Sequence, residues 1–263
     1  MTNSTQGPQE LRMLVGSGQA AREIAVARRG GAEPGLFWLG GFRSDMTGSK
    51  AAALDSLGAQ KGLGMTRFDY SGHGISGGDF NAGTISRWLE EAEVVFASTP
   101  GPQIVVGSSM GGWLALLLVR AMLRRGDHRV QGLVLIAPAT DMTRELMLPA
   151  FTPAEHESLQ NNGYVEQPSQ YSVEPYRINR SLIEDGEKYL LLGGVIETGC
   201  PVVILQGGQD PDVPQDHAIK LVTHILHDPV TLTLIPDGDH RLSRPQDLER
   251  LRQAVLGLIE ASH

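Results

Sequence analysis

Short apolar runs alternate along the chain with longer amphipathic stretches, separated by loops rich in Gly and Asp. Runs of strand length fall at 36–39, 65–70, 103–106, 133–136, 202–205 and 230–235, and stretches with helical spacing at 50–60, 84–98, 112–124, 215–226 and 246–261. This alternation predicts a mostly parallel central sheet with helices on both faces. The strands read as unbroken hydrophobic runs (IVV, LVLI, VVIL), as expected when both faces of a sheet are covered. Residues 113–122 are apolar all round apart from Arg120, which for a helix means burial in the core.

Two regions break the rhythm. Ahead of Gly35, LRMLV and REIAVARR flank a GSG turn, which predicts an N-terminal antiparallel hairpin at the sheet edge. Between Ala137 and Cys200 the pattern loosens, with Pro149, Pro153, Pro168 and Pro175, several tyrosines and no evident strand. An insertion of this length inside an α/β unit is usually functional, and it would leave the sheet at the ligand-binding end of a strand. We expect one domain over 1–263, with a small helical cap over 140–192 whose Leu146, Met147, Leu148, Phe151 and Tyr164 form an apolar pocket cover or simple packing.

Composition narrows the choice of partners. The net charge is −8, from 22 basic and 30 acidic residues without a basic run, which argues against nucleic acid. Cys200 is the single cysteine, so no intrachain disulfide is possible. The N-terminal text has no secretory pattern, and the longest apolar run, 113–119, is far short of the roughly 20 residues of a membrane span. A cytoplasmic location is expected.

The candidate chemistry centres on Gly107-Ser108-Ser109-Met110-Gly111, a G-x-S-x-G pattern between an apolar strand and a helix. The small residues allow a sharp turn that lifts one hydroxyl above the sheet. Ser109 is the central serine and the expected nucleophile. A serine hydroxyl needs a base, oriented in turn by an acid, and in sheets of this kind both follow late strands in the order acid, then histidine. Asp210 follows VVILQGG and His240 follows the run ending in LIPDGD, so these two are expected as acid and base. Asp212 and Asp216 compete for the first role and His73 for the second, while Asp237 and Asp239 are expected to shape the histidine loop. The backbone N–H groups of Met110 and of Phe42, which follows Gly40-Gly41, are expected to hold an oxyanion.

Other patterns point elsewhere. Gly16-x-Gly18-x-x-Ala21 imitates a dinucleotide fingerprint, but too few residues follow for a helix and a second strand, so a hairpin turn is expected. His217, His224 and His227 suggest a metal, yet Ala218, Leu221, Val222 and Ile225 mark the opposite helix face as buried, so they are expected to be solvated. No cofactor and no metal are expected.

The blocks GGFRSDMTGSKA, RFDYSGHGISGG, GTISRW, PQIVVGSSMGGW, the Cys-Pro pair before VVILQGGQD, and DHR together resemble the α/β-hydrolase family over nearly the whole chain. The resemblance is to the branch of mitochondrial palmitoyl-protein thioesterases and acyl-glucuronide esterases and its bacterial relatives. It implies an α/β-hydrolase fold, with Ser109 as nucleophile, Asp210 as orienting acid and His240 as base. It further implies hydrolysis of an ester or thioester of a small-molecule or acylated substrate. Nothing like a transit peptide is visible, so a bacterial cytoplasmic protein is implied. Carbon–carbon bond hydrolysis, lactone opening and cofactor-free perhydrolysis use the same three residues and stay open, as does a non-catalytic binding module.

Overall fold

The computed structural model describes residues 7–168 and 175–261. In chain order its strands are β1 (Gln9–Val15), β2 (Arg22–Arg29), β3 (Ala32–Leu39), β4 (Leu63–Phe68), β5 (Gln103–Ser108), β6 (Val130–Ile136), β7 (Tyr164–Gln167), β8 (Tyr176–Asn179), β9 (Val202–Gly207) and β10 (Val230–Ile235). Eight of them form one sheet in the order β1-β2-β4-β3-β5-β6-β9-β10. β2 runs antiparallel to both β1 and β4, and the remaining pairs are parallel. The N-terminal hairpin is thus present, and Gly16 and Gly18, at φ 79° and 55°, make its turn. A Cβ on Gly16 would lie 2.7 Å from the Ala20 carbonyl oxygen, so the G-x-G spacing serves chain reversal.

Strand alternation sorts the apolar residues onto two faces. Leu36, Trp38, Ile104, Val106, Val134 and Ile136 point to a cluster closed by α1 (Ser49–Lys61) and, through Leu251, Val255 and Leu258, by the C-terminal helix (Pro245–Ala261). Phe37, Leu39, Val105, Leu133 and Leu135 face the opposite cluster, covered by α2 (Ile85–Ala97) and α3 (Met110–Arg124). Trp113 through Val119 are all at most 1% exposed, which explains why that helix reads as apolar on every side.

The chain between β6 and β9 is mixed rather than helical. It contains a turn of π-helix (Thr143–Met147), α4 (Leu148–Ala150), α5 (Pro153–Asn161), the antiparallel pair β7–β8, and α6 (Arg180–Gly186). The two strands escape the hydrophobic pattern because each is four residues long and buries a single residue fully, Val165 and Ile178. The segment is tied to the body of the protein: Ser86 donates its amide and hydroxyl to Asp185, both at 2.7 Å, and Asp141 accepts the amides of Leu191 and Leu192. Phe151 is buried and Leu146, Met147 and Leu148 pack against the main core, so their role is packing.

α7 (Gln215–Val222) stops short of residue 226 because Thr223 Oγ1 and His224 Nδ1 both bond back to the Lys220 carbonyl at 2.8 Å. His217 corrects the expectation of a solvated histidine face. It is 7% exposed beside Ala218 and Leu221, and burial pulls its pKa below the ordinary value, whereas His224 is half-buried and His227 exposed. α8 (Pro245–Ala261) is the last described element.

Candidate active site

The strand order creates the site. β3 lies between β4 and β5, so the chain moves outward in opposite directions from this point and the loops that leave the ends of β3 and β5 are neighbours. β5 ends at Gly107-Ser108, Ser109 takes φ 56° and ψ −118°, and α3 starts at Met110. This left-handed conformation costs a serine about 1–3 kcal/mol and persists only when its surroundings enforce it. The Ser109 amide donates to the Ile136 carbonyl at 2.9 Å, and its carbonyl accepts from Gly112 and Ala139. Close approach explains the flanking glycines. A Cβ on Gly107 would lie 2.2 Å from the Gly111 carbonyl oxygen, and one on Gly111 would lie 2.1 Å from that of Leu39.

The loops after β9 and β10 bring the other two expected residues to this turn. Ser109 Oγ is 3.1 Å from His240 Nε2, and His240 Nδ1 is 2.8 Å from Asp210 Oδ2. Asp210 is held from three sides. Its Oδ1 accepts the amides of Asp212 and Val213 at 2.9 and 2.8 Å, and its Oδ2 accepts from Gln206 Nε2 at 3.3 Å. Asp212 is exposed and donates its amide to this arrangement, although its carboxylate, Asp210 and His240 offer atoms within 4.8 Å of one another. Asp216 lies in the first turn of α7. Asp239 accepts the Leu242 amide and Asp237 pairs with Arg244 at 2.7 Å, so both shape the histidine loop. Lys50 on α1 donates to the Arg241 carbonyl beside it. Gln206, at the end of β9, was not singled out from the sequence, and its contact with Asp210 appears only in the fold.

On the β3 side, Gly41 packs against the turn: a Cβ there would lie 3.2 Å from the Ser108 carbonyl oxygen and 3.4 Å from Ser109 Cβ. Neither the Phe42 nor the Met110 amide has an acceptor among the described residues, which leaves both donors open beside Ser109. The Phe42 ring joins Phe80, Trp88 and Tyr176 in an aromatic cluster with centroids 5.0–6.2 Å away. His73 is buried here and forms no hydrogen bond with Ser109, His240 or Asp210. Its Nε2 accepts the Arg43 amide at 3.1 Å, and its Nδ1 lies 3.2 Å from the Ser71 carbonyl, so that nitrogen carries the proton. Asp69 joins the same two loops by accepting the amides of Met46 and Ile75.

Burial pushes the His73 pKa down to about 4, from an ordinary value of 6.5. Between these values the unfolded chain binds a proton that the folded protein refuses. The stability His73 contributes is therefore complete above pH 6.5 and is lost progressively as the pH falls to about 4. We expect the stability advantage of the parent over His73→Gln to shrink by up to about 3 kcal/mol across that window in urea titrations. An advantage that stays constant with pH would contradict this reading.

The comparisons with known proteins agree with this architecture. Residues 30–251 match the Alpha/beta hydrolase family. The chain belongs to the α/β-hydrolase family. The mitochondrial palmitoyl-protein thioesterase ABHD10 of Bos taurus is 34% identical over 241 residues, covering 90% of this chain and 76% of that protein. Its Homo sapiens counterpart is 32% identical over the same length. Among solved structures, a chain of Agrobacterium vitis S4 with a provisional hydrolase name is 52% identical, with a TM-score of 0.93, and covers 97% of this chain and 100% of that one. The mouse alpha/beta hydrolase domain-containing protein 10 gives a TM-score of 0.83 at 29% identity, covering 96% and 100%.

This α/β hydrolase has a cavity of about 720 Å³ beside the β3 loop, within the range of small-molecule sites. Arg43, His73, Phe80, Glu166, Tyr176 and Arg177 contribute to its wall, together with neighbouring loop residues. Leu146, Met147, Leu148, Phe151 and Tyr164 do not line it, so the wall is more polar than an apolar cover would make it. Burial raises the pKa of Tyr176, the neighbouring Arg43 guanidinium opposes the rise, and the Asp212 carboxylate adds to it. No helix among the described residues is long and apolar enough to cross a membrane.

Proposed function

We propose that this chain is a serine hydrolase that cleaves carboxylic ester or thioester bonds through an acyl-enzyme on Ser109. The observation that carries the proposal is the unbroken row Asp210–His240–Ser109, with separations of 2.8 and 3.1 Å, at the end of a strained strand–helix turn. His240 Nε2 takes the Ser109 proton as Oγ attacks the acyl carbon, and Asp210 stabilises the resulting imidazolium. The amides of Met110 and Phe42 donate to the oxyanion, and the positive end of α3 adds to that field. When the intermediate collapses, His240 delivers the proton to the departing alcohol or thiol. Water then attacks the acyl carbon with His240 again as base, and the acid product leaves.

In this reading segment 140–192 is the cap that limits access to Ser109, because it leaves the sheet after β6 on the side of the elbow. The thioesterase name of the curated relatives supports including thioesters among the substrates. The test is a panel of matched oxoesters and thioesters from acetyl to palmitoyl. We expect turnover in at least one series, with a clear optimum in acyl length. Rates equal to buffer throughout both series would reject the proposal.

A further inference from the structure

The charged residues of the 720 Å³ cavity are unequally engaged. Arg177 pairs with Glu166 at 3.1 Å and lies 4.1 Å from the centroid of the Tyr164 ring. Asp45 is turned onto its own loop, accepting the amide and hydroxyl of Thr47. Arg43 differs from both. Its guanidinium carbon lies 4.2 Å from the centroid of Tyr176 and 5.5 Å from that of Phe80, and no carboxylate or carbonyl among the described residues accepts from it. Ring faces hold the guanidinium plane without consuming the N–H donors at its edge.

The backbone beneath this side chain is fixed as well. Arg43 has φ 59°, and its amide donates to His73 Nε2 at 3.1 Å. His73 is itself locked among Tyr70, Phe80 and Trp88, with ring centroids 5.2–5.7 Å away. Arg43 also directly follows Phe42, the proposed oxyanion donor. A guanidinium held on ring faces, with no carboxylate or carbonyl partner among the described residues, therefore stands one residue along the chain from Phe42, in the wall of a cavity that borders the β3 loop and is large enough for a small molecule.

We infer that Arg43 recognises a carboxylate carried by the substrate away from the scissile carbonyl, so that this enzyme prefers anionic over neutral esters. The guanidinium fork matches a carboxylate through two parallel N–H···O bonds. A single carboxylate fits better than a dianionic phosphate. Among the described residues that line the cavity, Arg43 is the one cation without an anionic partner, and Glu166 and Asp45 border the same cavity. The inference rests on the reading of Ser109 as nucleophile only for its link to turnover; recognition itself needs no chemistry.

The test uses 4-nitrophenyl hydrogen glutarate, which carries a free carboxylate, and its neutral methyl ester. In the parent we expect kcat/KM to favour the acid by about tenfold or more, as one charge-assisted bidentate contact warrants. Arg43→Gln should bring the ratio close to one, and Arg43→Lys should retain part of it, since the charge survives and the fork does not. A second arm titrates both compounds into the Ser109→Ala protein with and without Arg43→Gln, and the same preference should appear in binding. A parent that binds both compounds equally, or a preference that survives Arg43→Gln in the titration, overturns the inference. If the parent hydrolysed neither compound, the titration would still decide the role of Arg43, and the serine-hydrolase reading would stand or fall on the acyl panel.

Discussion

Ser109→Ala is expected to lower the turnover of a 4-nitrophenyl ester by ~10⁴-fold or more, while Ser108→Ala stays within about threefold of the parent. The two serines are adjacent, and only their backbone settings separate them. Ser108 is the last residue of β5, paired with Ile136 across the sheet and 6% exposed. Ser109 has left the strand at φ 56°, and its Oγ meets His240 Nε2 at 3.1 Å. Alanine at 109 must adopt the same left-handed backbone as serine, so the strain is unchanged and the loss reflects the missing hydroxyl. Thermal unfolding midpoints close to that of the parent would establish this. A Ser109→Ala protein within tenfold of the parent would remove the nucleophile from the account.

The second large effect belongs to Asp210→Asn, for which we expect kcat to fall by ~10³–10⁴-fold with KM little changed. Asp210 Oδ1 accepts two backbone amides, those of Asp212 and Val213, so an asparagine must keep its carbonyl oxygen there. Its NH₂ group then occupies the Oδ2 position, 2.8 Å from His240 Nδ1. Two donors cannot face one another, so Nδ1 becomes the acceptor and the ring proton moves to Nε2. That nitrogen can then no longer take the proton of Ser109. The same NH₂ also meets the Gln206 amide, which adds a modest loss of stability. Steady-state kinetics on the folded variant decide the matter, and kcat within tenfold of the parent would show that Asp210 does not set the tautomer.

Much of the candidate site's arrangement was legible in the sequence because its determinants are local. The elbow needs a strand, small residues and a helix in immediate succession, and all lie between Gln103 and Arg124. Asp210 and His240 could be proposed because each follows a run of strand length, the continuous VVIL in one case and the alternating VTLTLI in the other. The choice of Asp210 over Asp212 was harder. It turns on which carboxylate folds back onto the amides of residues 212 and 213, a geometry that composition does not specify. The fold followed the same logic, and strand faces such as Leu36/Trp38 against Phe37/Leu39 follow directly from alternation.

What stayed hidden depends on contacts between distant segments. The stacking of Arg43 on Tyr176 joins the loop after β3 to β8, a strand too short to show a period. Gln206 carries no signal in the sequence, because its contacts with Asp210 and Val213 depend on how the following loop folds back. His217 was misread because periodicity assigns one buried face to α7, whereas the histidine is buried beside that face rather than opposite it.

The central claim is that Ser109, activated by His240, is the group that attacks the substrate. Labelling the parent protein with a fluorophosphonate and mapping the adduct by peptide mass spectrometry tests it most directly. The account predicts a single phosphonylated residue, Ser109, formed at least ~100-fold faster than in His240→Ala. An adduct on Ser108, or folded parent protein that takes up no label, would contradict it.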